Sequence, residues 1–268
     1  MREVFEELES ILLHDPGGRG VADRHLPGHL EGAARSLLEA RRVLIVTGFP
    51  IARARTGETD GPPGARALGS ALEELGVGVA MTSDAWTRPL LRTLDLEVED
   101  SWEDLLERFE PTHLVSVERP GRAVDGIYYN ARGEDITTLV EPLDELFIEA
   151  RRCGLPTIGI GDGGNEIGLG RAVDGSGIPK PPESVIETDW SLAAGTSNWA
   201  AYVLVAGLSG LTARSLLPDF ETVRIDLERL VAAGAVDGLT GKKEPTVDGL
   251  RGEETERVIS LILEILNI

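Results

Sequence analysis

Cysteine, lysine, aromatic residues and long apolar runs are all scarce in this 268-residue chain. The single cysteine, Cys153, excludes an internal disulfide and fits a reducing compartment, so a cytoplasmic location is expected. The best apolar run, Ile259 to Leu266, is broken by Glu264 and falls short of membrane-spanning length. Aromatics make up 4% of residues against 41% hydrophobic, so the core must be aliphatic. Positive charge is also in deficit, with 26 basic residues against 46 acidic ones and a formal charge of −20. That balance argues against nucleic acid and anionic membrane surfaces as partners. Only Lys180, Lys242 and Lys243 are lysines, beside 23 arginines. A GC-rich genome explains that ratio but not the acids. A high-salt cytoplasm explains both, because salt screens self-repulsion on an acidic surface. The N-terminus, from Met1 to Leu8, reads as an acidic amphipathic helix and not as a signal peptide.

What the chain does have is an alternation of apolar runs and helical patterns. Expected strands are Val43–Val46, Val77–Met81, Leu114–Val117, Leu155–Ile160 and a weaker one at Ser184–Thr188. Expected helices are Ala65–Leu75, Trp86–Leu94, Trp102–Phe109 with Ser101 as N-cap, Thr138–Arg152, Ser197–Leu208, Phe220–Ala233 and Glu254–Leu266. Strands separated by helices imply an α/β fold: a mostly parallel, doubly wound, Rossmann-like sheet with helices on both faces. Residues 1–40 read as an N-terminal helical segment and 41–268 as a single α/β domain. Two long loops, Ala52–Gly64 and Glu118–Asp135, are candidates for function.

The most informative segment runs from Leu155 to Gly168, where an apolar run ends in the glycine-dense turn Gly161-Asp162-Gly163-Gly164-Asn165-Glu166. The residues beyond it, through Ala172, are expected to start a helix. On a parallel sheet, other strand ends bring further polar groups to the same crevice. These are Thr47-Gly48, Glu58-Thr59-Asp60, Thr82-Ser83-Asp84, Glu118-Arg119, Tyr128-Tyr129-Asn130 and Gly195-Thr196-Ser197-Asn198. Several carboxylates in one crevice repel one another unless a cation lies between them. A hard divalent ion, Mn²⁺ or Mg²⁺, suits oxygen ligands, with Asp162, Asn165 and Glu166 as ligands and Glu118 reaching from the neighbouring strand. The alternative is that Asp162 and Glu166 merely cap a helix and complement its dipole.

Gly159, Gly161 and Gly164 also spell a dinucleotide fingerprint, with Glu187 at the distance of a ribose-binding acid. Asp162 and Glu166 would face the pyrophosphate there, so no nicotinamide or flavin cofactor is expected. His25 and His29 flank Pro27 and Gly28 and make a poor helical zinc pair. His113 reads as structural, Cys153 as a packed or surface thiol, and no serine sits in a nucleophile elbow. Lys243 is a candidate for binding a carboxylate or phosphate, or else a solvated loop residue.

The turn Gly161–Gly170 resembles the signature of the D-glutamate cyclase C-terminal-domain family. Supporting segments are Thr47–Pro50, Glu58–Gly64, Glu118–Gly121, Tyr128–Asn130, Gly195–Trp199 and Thr246–Gly249. The resemblance, from about residue 40 to the C-terminus, implies an α/β fold, divalent-metal dependence and assembly into homo-oligomers. In the enzyme that names the family this domain is joined to a further N-terminal domain, and the chain resembles a stand-alone member. The implied reaction is closure of D-glutamate to 5-oxo-D-proline with loss of water. A metal held by Glu118, Asp162 and Glu166 would polarise the γ-carboxylate, and Glu166 or Asp60 would move protons. Backbone N–H groups of Gly163 and Gly164 would hold the α-carboxylate, and Thr196, Ser197 and Asn198 would orient the substrate. Thr47, Gly48, Glu58 and Asn130 complete the expected substrate-binding set. The alternatives are a metal-dependent phosphatase acting on a small phosphate ester, with Lys243 and Arg119 as its cations, and a non-catalytic small-ligand binding protein.

Overall fold

Alternate residues of the first core strand point into different apolar clusters, and this decides the architecture. Val43 and Ile45 join one cluster, Leu44 and Val46 another, and all four are buried. A strand apolar on both faces needs cover on both faces. The computed structural model describes residues 2–170 and 182–267.

Helices α1 (Arg2–Leu12) and α2 (His29–Leu37) precede β1 (Arg42–Thr47). A short ribbon of β2 (Pro50–Ile51) and β3 (Thr56–Gly57) leads into α3 (Pro62–Glu74) and β4 (Gly78–Thr82). Then come α4 (Arg88–Arg92), β5 (Val98–Glu99), α5 (Leu105–Phe109) and β6 (His113–Val117). Next are α6 (Asp144–Arg152), β7 (Thr157–Gly161) and β8 (Trp190–Ala193), and the chain closes with α7 (Ser197–Thr212), α8 (Phe220–Ala233) and α9 (Gly252–Leu266). Among the described residues no helix is long and apolar enough to cross a membrane.

The main sheet has the order β5-β4-β1-β6-β7-β8, with every neighbouring pair parallel. Strands are added on one side of β1 and then, from β6 onward, on the other. This is a doubly wound, Rossmann-like sheet whose strand order reverses between β1 and β6. The register sets Thr47 beside Val117 and Val117 beside Ile160. The residues that follow these strand ends therefore emerge side by side at one edge. Helix α7 is buried along almost its whole length and packs against α1, α2, α3 and α9. An all-apolar helix of this kind belongs inside the protein. The N-terminal helices share its core, with Phe5, Leu8, Leu30 and Leu37 buried in the same cluster as Val43 and Trp199.

Several expected elements change. The strand expected at Ser184–Thr188 does not enter the sheet; β8 takes that place. Ser184 N–H instead donates to Gly164 O at 2.9 Å, and Ile186 O accepts from Gly168 N–H at 2.8 Å. This segment laces the glycine turn in place. The expected helix Thr138–Arg152 is divided at Pro142, which has no N–H to donate and disfavours helical backbone before it. A single 3₁₀ turn spans Thr137–Leu139 and α6 starts at Asp144. Helix α5 starts only at Leu105, because Ser101 Oγ is spent on Glu103 at 2.9 Å instead of capping. The helix expected over Trp86–Leu94 contracts to α4. No helix begins between Gly163 and Gly170, where the backbone forms bends and a turn. Arg171 and Ala172 of the expected helix lie outside the described residues.

Candidate active site

Beyond the carboxyl ends of β1, β6 and β7 lies a cavity of about 400 Å³. Its walls carry Glu58, Glu118, Asp162, Asn165, Glu166 and Asp248. Glu118, Asp162, Asn165 and Glu166 are held by the turns that follow β6 and β7, Glu58 follows β3, and Asp248 comes from the loop between α8 and α9. Glu118, one residue past β6, has a left-handed backbone with φ 47°. For a non-glycine residue that conformation costs about 1–3 kcal/mol and is concentrated at functional sites. Its carboxylate accepts a short hydrogen bond from Ser197 Oγ at the start of α7.

The glycine turn folds back on its own strand. A Cβ on Gly159 would lie 2.4 Å from the carbonyl oxygen of Ile167, and one on Gly161 would lie 2.9 Å from the side chain of Glu166. Only glycine lets the turn close this tightly. As a result the N–H groups of Gly163 and Gly164 donate to the Glu166 carboxylate at 2.8 and 2.6 Å. They are thus occupied by Glu166 and do not sit at a helix start waiting for a substrate carboxylate. Asn165 is buried and donates to Tyr129 O at 2.9 Å. Asp162, 2% exposed, places one oxygen 3.3 Å from Arg19 Nη1, while its other oxygen is buried without a partner among the described residues.

Asp60 precedes α3 and is 1% exposed. Its oxygens accept from the N–H groups of Ser197 at 2.8 Å, Asn198 at 2.9 Å and Gly61 at 3.0 Å. The Asn198 side-chain oxygen meanwhile accepts from Gly61 and Gly64 N–H at 3.1 and 2.7 Å, which caps α3 from a distance. Thr196 Oγ1 caps α7 by accepting from Trp199 N–H at 3.2 Å. Thr196, Ser197 and Asn198 therefore build the acid cluster and do not line the cavity. Thr47 is buried with its hydroxyl unpartnered among the described residues, and Gly48, with φ 95°, offers its carbonyl to Arg119 at 3.2 Å. Asn130 lines the cavity, but its side chain is bonded within its own turn to Glu134 and Arg132.

Two triads of carboxylates each bring ligand atoms within 4.8 Å of one another: Asp60, Asp162 and Asp248, and Glu118, Asp162 and Glu166. Asp162 belongs to both. Burial, reinforced by neighbouring negative charge, pushes several of these groups upward. Asp60 is raised to about 7 by burial and by Asp248. Glu58, Glu118 and Asp162 are also raised well above the carboxylate range, again chiefly by burial.

Two expected cations are elsewhere. Lys243 is exposed and away from the cavity wall. Arg119 is fully buried against Asp84 at 2.6 Å. The cation inside the cluster is Arg19, which reading the sequence missed. Its Nη2 lies 2.7 Å from Asp248. Burial works against its charge, but Asp162 and Asp248 hold it protonated. Arg53 and Arg132 add positive charge to the cavity wall. Asp248 was visible only inside the quoted segment Thr246–Gly249. A buried Asp237 shapes that loop, accepting from Thr246 Oγ1 and Gly249 N–H, each at 2.7 Å. Among the remaining candidates, His113 is buried between Thr112 and Ser36, His29 accepts from Ser191 N–H, and Cys153 is an exposed thiol.

The fold is that of the doubly wound α/β proteins, with clustered buried carboxylates around a cavity at the switch point of the sheet. A sequence profile described as D-glutamate cyclase-like, C-terminal, matches residues 8–263. The chain belongs to this family. The human protein D-glutamate cyclase, mitochondrial, is 38% identical over 238 residues, which are 77% of this chain and 39% of that protein. The chain thus spans well under half the length of that relative. A crystal structure of an exopolyphosphatase-related protein from Bacteroides fragilis shares 10% identity, covering 90% of this chain and 57% of that one. Its TM-score of 0.46 is too low to bear on function.

Proposed function

We propose that the chain is a metal-dependent lyase that closes D-glutamate to 5-oxo-D-proline with loss of water. Family membership supports the reading. The observation that carries it is the buried oxygen of Asp162, which has no partner among the described residues and lies among the oxygen donors of Glu118 and Glu166. A buried acceptor of this kind is costly unless something positive meets it. Hard carboxylate donors fit Mn²⁺ or Mg²⁺, which Glu118, Asp162 and Glu166 would hold with Asn165 beside them. Such an ion supplies Lewis-acid polarisation of a carboxylate oxygen.

The chain's own groups do the rest. Asp60, raised to about 7, is poised between its two protonation states near neutrality, as a general acid–base group should be. It receives a proton of the substrate ammonium by way of Asp162 or Asp248, which line the cavity and whose oxygens lie within 4.8 Å of its own, and the free amine attacks the γ-carboxyl carbon. The N–C bond forms, the C–O bond breaks, and the two protons lost by nitrogen leave on the departing oxygen as water. Ser197, Asn198 and Gly61 keep Asp60 aimed through their backbone N–H groups. Glu58 and Asp248, both on the cavity wall, offer carboxyl oxygens that accept hydrogen bonds from the ammonium. The substrate is a small anionic amino acid, the compartment the cytoplasm, and the working state a homo-oligomer.

Arg53 and Arg132 on the cavity wall favour one second reading, hydrolysis of a small phosphate ester. A single assay separates the two. The Mn²⁺-loaded protein is incubated with D-glutamate and with a phosphate-ester panel, and products are read by mass spectrometry. Formation of 5-oxo-D-proline, abolished in Asp60→Asn, is the expected result. Phosphate release alone would replace the lyase by a phosphatase, and no turnover would leave a ligand-binding protein. Mn²⁺ affinity unchanged in Asp162→Asn would remove the metal site itself.

A further inference from the structure

Asp162 divides its two oxygens between two different surroundings. One faces Arg19 Nη1 at 3.3 Å, and the other is buried without a partner among the described residues. It is also the one residue shared by the two carboxylate triads. In the triad with Asp60 and Asp248, the space is already spoken for. Arg19 spans Asp162 and Asp248, the latter at 2.7 Å. Asp60 accepts three backbone N–H groups and keeps one acceptor position to turn toward that space. The triad with Glu118 and Glu166 has no such occupant among the described residues, and the orphaned oxygen belongs to the residue it shares with the first.

The geometry points to Arg19 as a built-in stand-in for a second metal ion. Resting on the reading of the cluster as a cation site, it assigns one divalent ion to Glu118, Asp162 and Glu166, and the guanidinium to the position between Asp60, Asp162 and Asp248. In two-metal sites the second ion clamps a substrate oxygen while the first activates it. Arg19 is placed for that clamping. It lines the cavity, and a guanidinium has five N–H donors, more than its two carboxylate partners require. Unlike a metal ion it cannot dissociate, because it is part of the chain, and the turn that carries it is stiffened locally. Asp15 accepts from the backbone N–H groups of Arg19 and Gly20, each at 2.8 Å. The consequence is a mononuclear site whose second electrophile is covalently tethered.

Stoichiometry tests this directly. Mn²⁺ is titrated into chelator-treated, full-length protein by calorimetry, and electron paramagnetic resonance reports whether the bound ions are isolated or spin-coupled. Wild type is expected to bind one ion per chain with an isolated-ion spectrum. Arg19→Gln is expected to bind two with a coupled spectrum, and the double variant Arg19→Gln, Asp248→Asn to return to one. Arg19→Lys, which keeps a tethered cation, is expected to stay at one. Two ions in wild type or in Arg19→Lys would overturn the inference, as would one ion in a folded Arg19→Gln. If circular dichroism shows Arg19→Gln unfolded, wild type and Arg19→Lys decide. No Mn²⁺ binding by any form would instead sink the cation reading on which the inference rests.

Discussion

The buried acid cluster should make the metal-free protein less stable at neutral pH than in mild acid, which is the reverse of ordinary acid denaturation. Asp60 shows the sign and the size. Its pKa rises from 3.8 to about 7 on folding, chiefly through burial. Between those values the folded chain holds a proton that the unfolded chain has released, so stability falls as pH rises. Linkage puts the cost of this one group at about 2 kcal/mol near pH ~5.5 and about 4 kcal/mol near pH ~7.5. The difference, about 2 kcal/mol, is a large share of a typical folding free energy. Glu58, Glu118 and Asp162, whose values are also raised, act in the same direction. His29 and His113, lowered by burial, act against it: the unfolded chain gains protons that these groups refuse as pH falls through the usual histidine range. The assay is urea unfolding of chelator-treated protein across this pH window at constant high salt. A midpoint that falls with rising pH is expected, with a shallower slope in Asp60→Asn. Saturating Mn²⁺ should flatten or reverse the slope, because the ion competes with protons for the same oxygens. Equal or greater stability of the metal-free protein at the higher pH would refute the account.

Three further outcomes can be checked. Gly61→Ala places a Cβ 2.7 Å from Glu118 Cβ on a backbone with φ 93° and should cost ~2–4 kcal/mol, read as a lower Tm; an unchanged Tm would contradict the packing. Asp84→Ala strands the buried Arg119 guanidinium and should cost ~3–5 kcal/mol in urea unfolding, whereas a loss under ~1 kcal/mol would mean the pair is not closed off from water. Far-UV circular dichroism across a potassium chloride series should show the fold weakening as salt is removed, since a −20 chain then repels itself; full folding at low salt would end the high-salt reading.

The strands that are apolar on both faces were legible because burial leaves no choice of residue. Val43–Val46 and Leu114–Val117 could be read to within a residue, and Phe220–Ala233 without error, its Asp219 cap bonding Thr222 N–H at 2.8 Å. The acids at the strand ends were legible too, since a parallel sheet brings such ends together whatever their sequence separation. What could not be read was who satisfies whom. The N–H groups of Gly163 and Gly164 looked free because nothing local says that Glu166 turns back to take them. The segment Ser184–Ile186 has strand-like composition, yet its backbone bonds go to the glycine turn and to Arg122, a choice made by tertiary context. Arg19 was invisible for a simpler reason. One arginine among 23, in the turn Pro16-Gly17-Gly18-Arg19-Gly20, carries no mark of its destination. Only the three-dimensional structure sets it among acids more than a hundred residues away.

That destination gives the site a property of its own. Arg19 precedes the first strand of the sheet, and Asp248 follows the eighth helix, yet the two side chains meet 2.7 Å apart over Asp162. Part of the cavity wall is therefore a clasp whose halves come from opposite ends of the sequence. Anything that binds the clasped form holds together two segments that lie far apart in the sequence. Ligand occupancy should then be felt as protease resistance at positions near residue 19, far along the chain from the glycine turn.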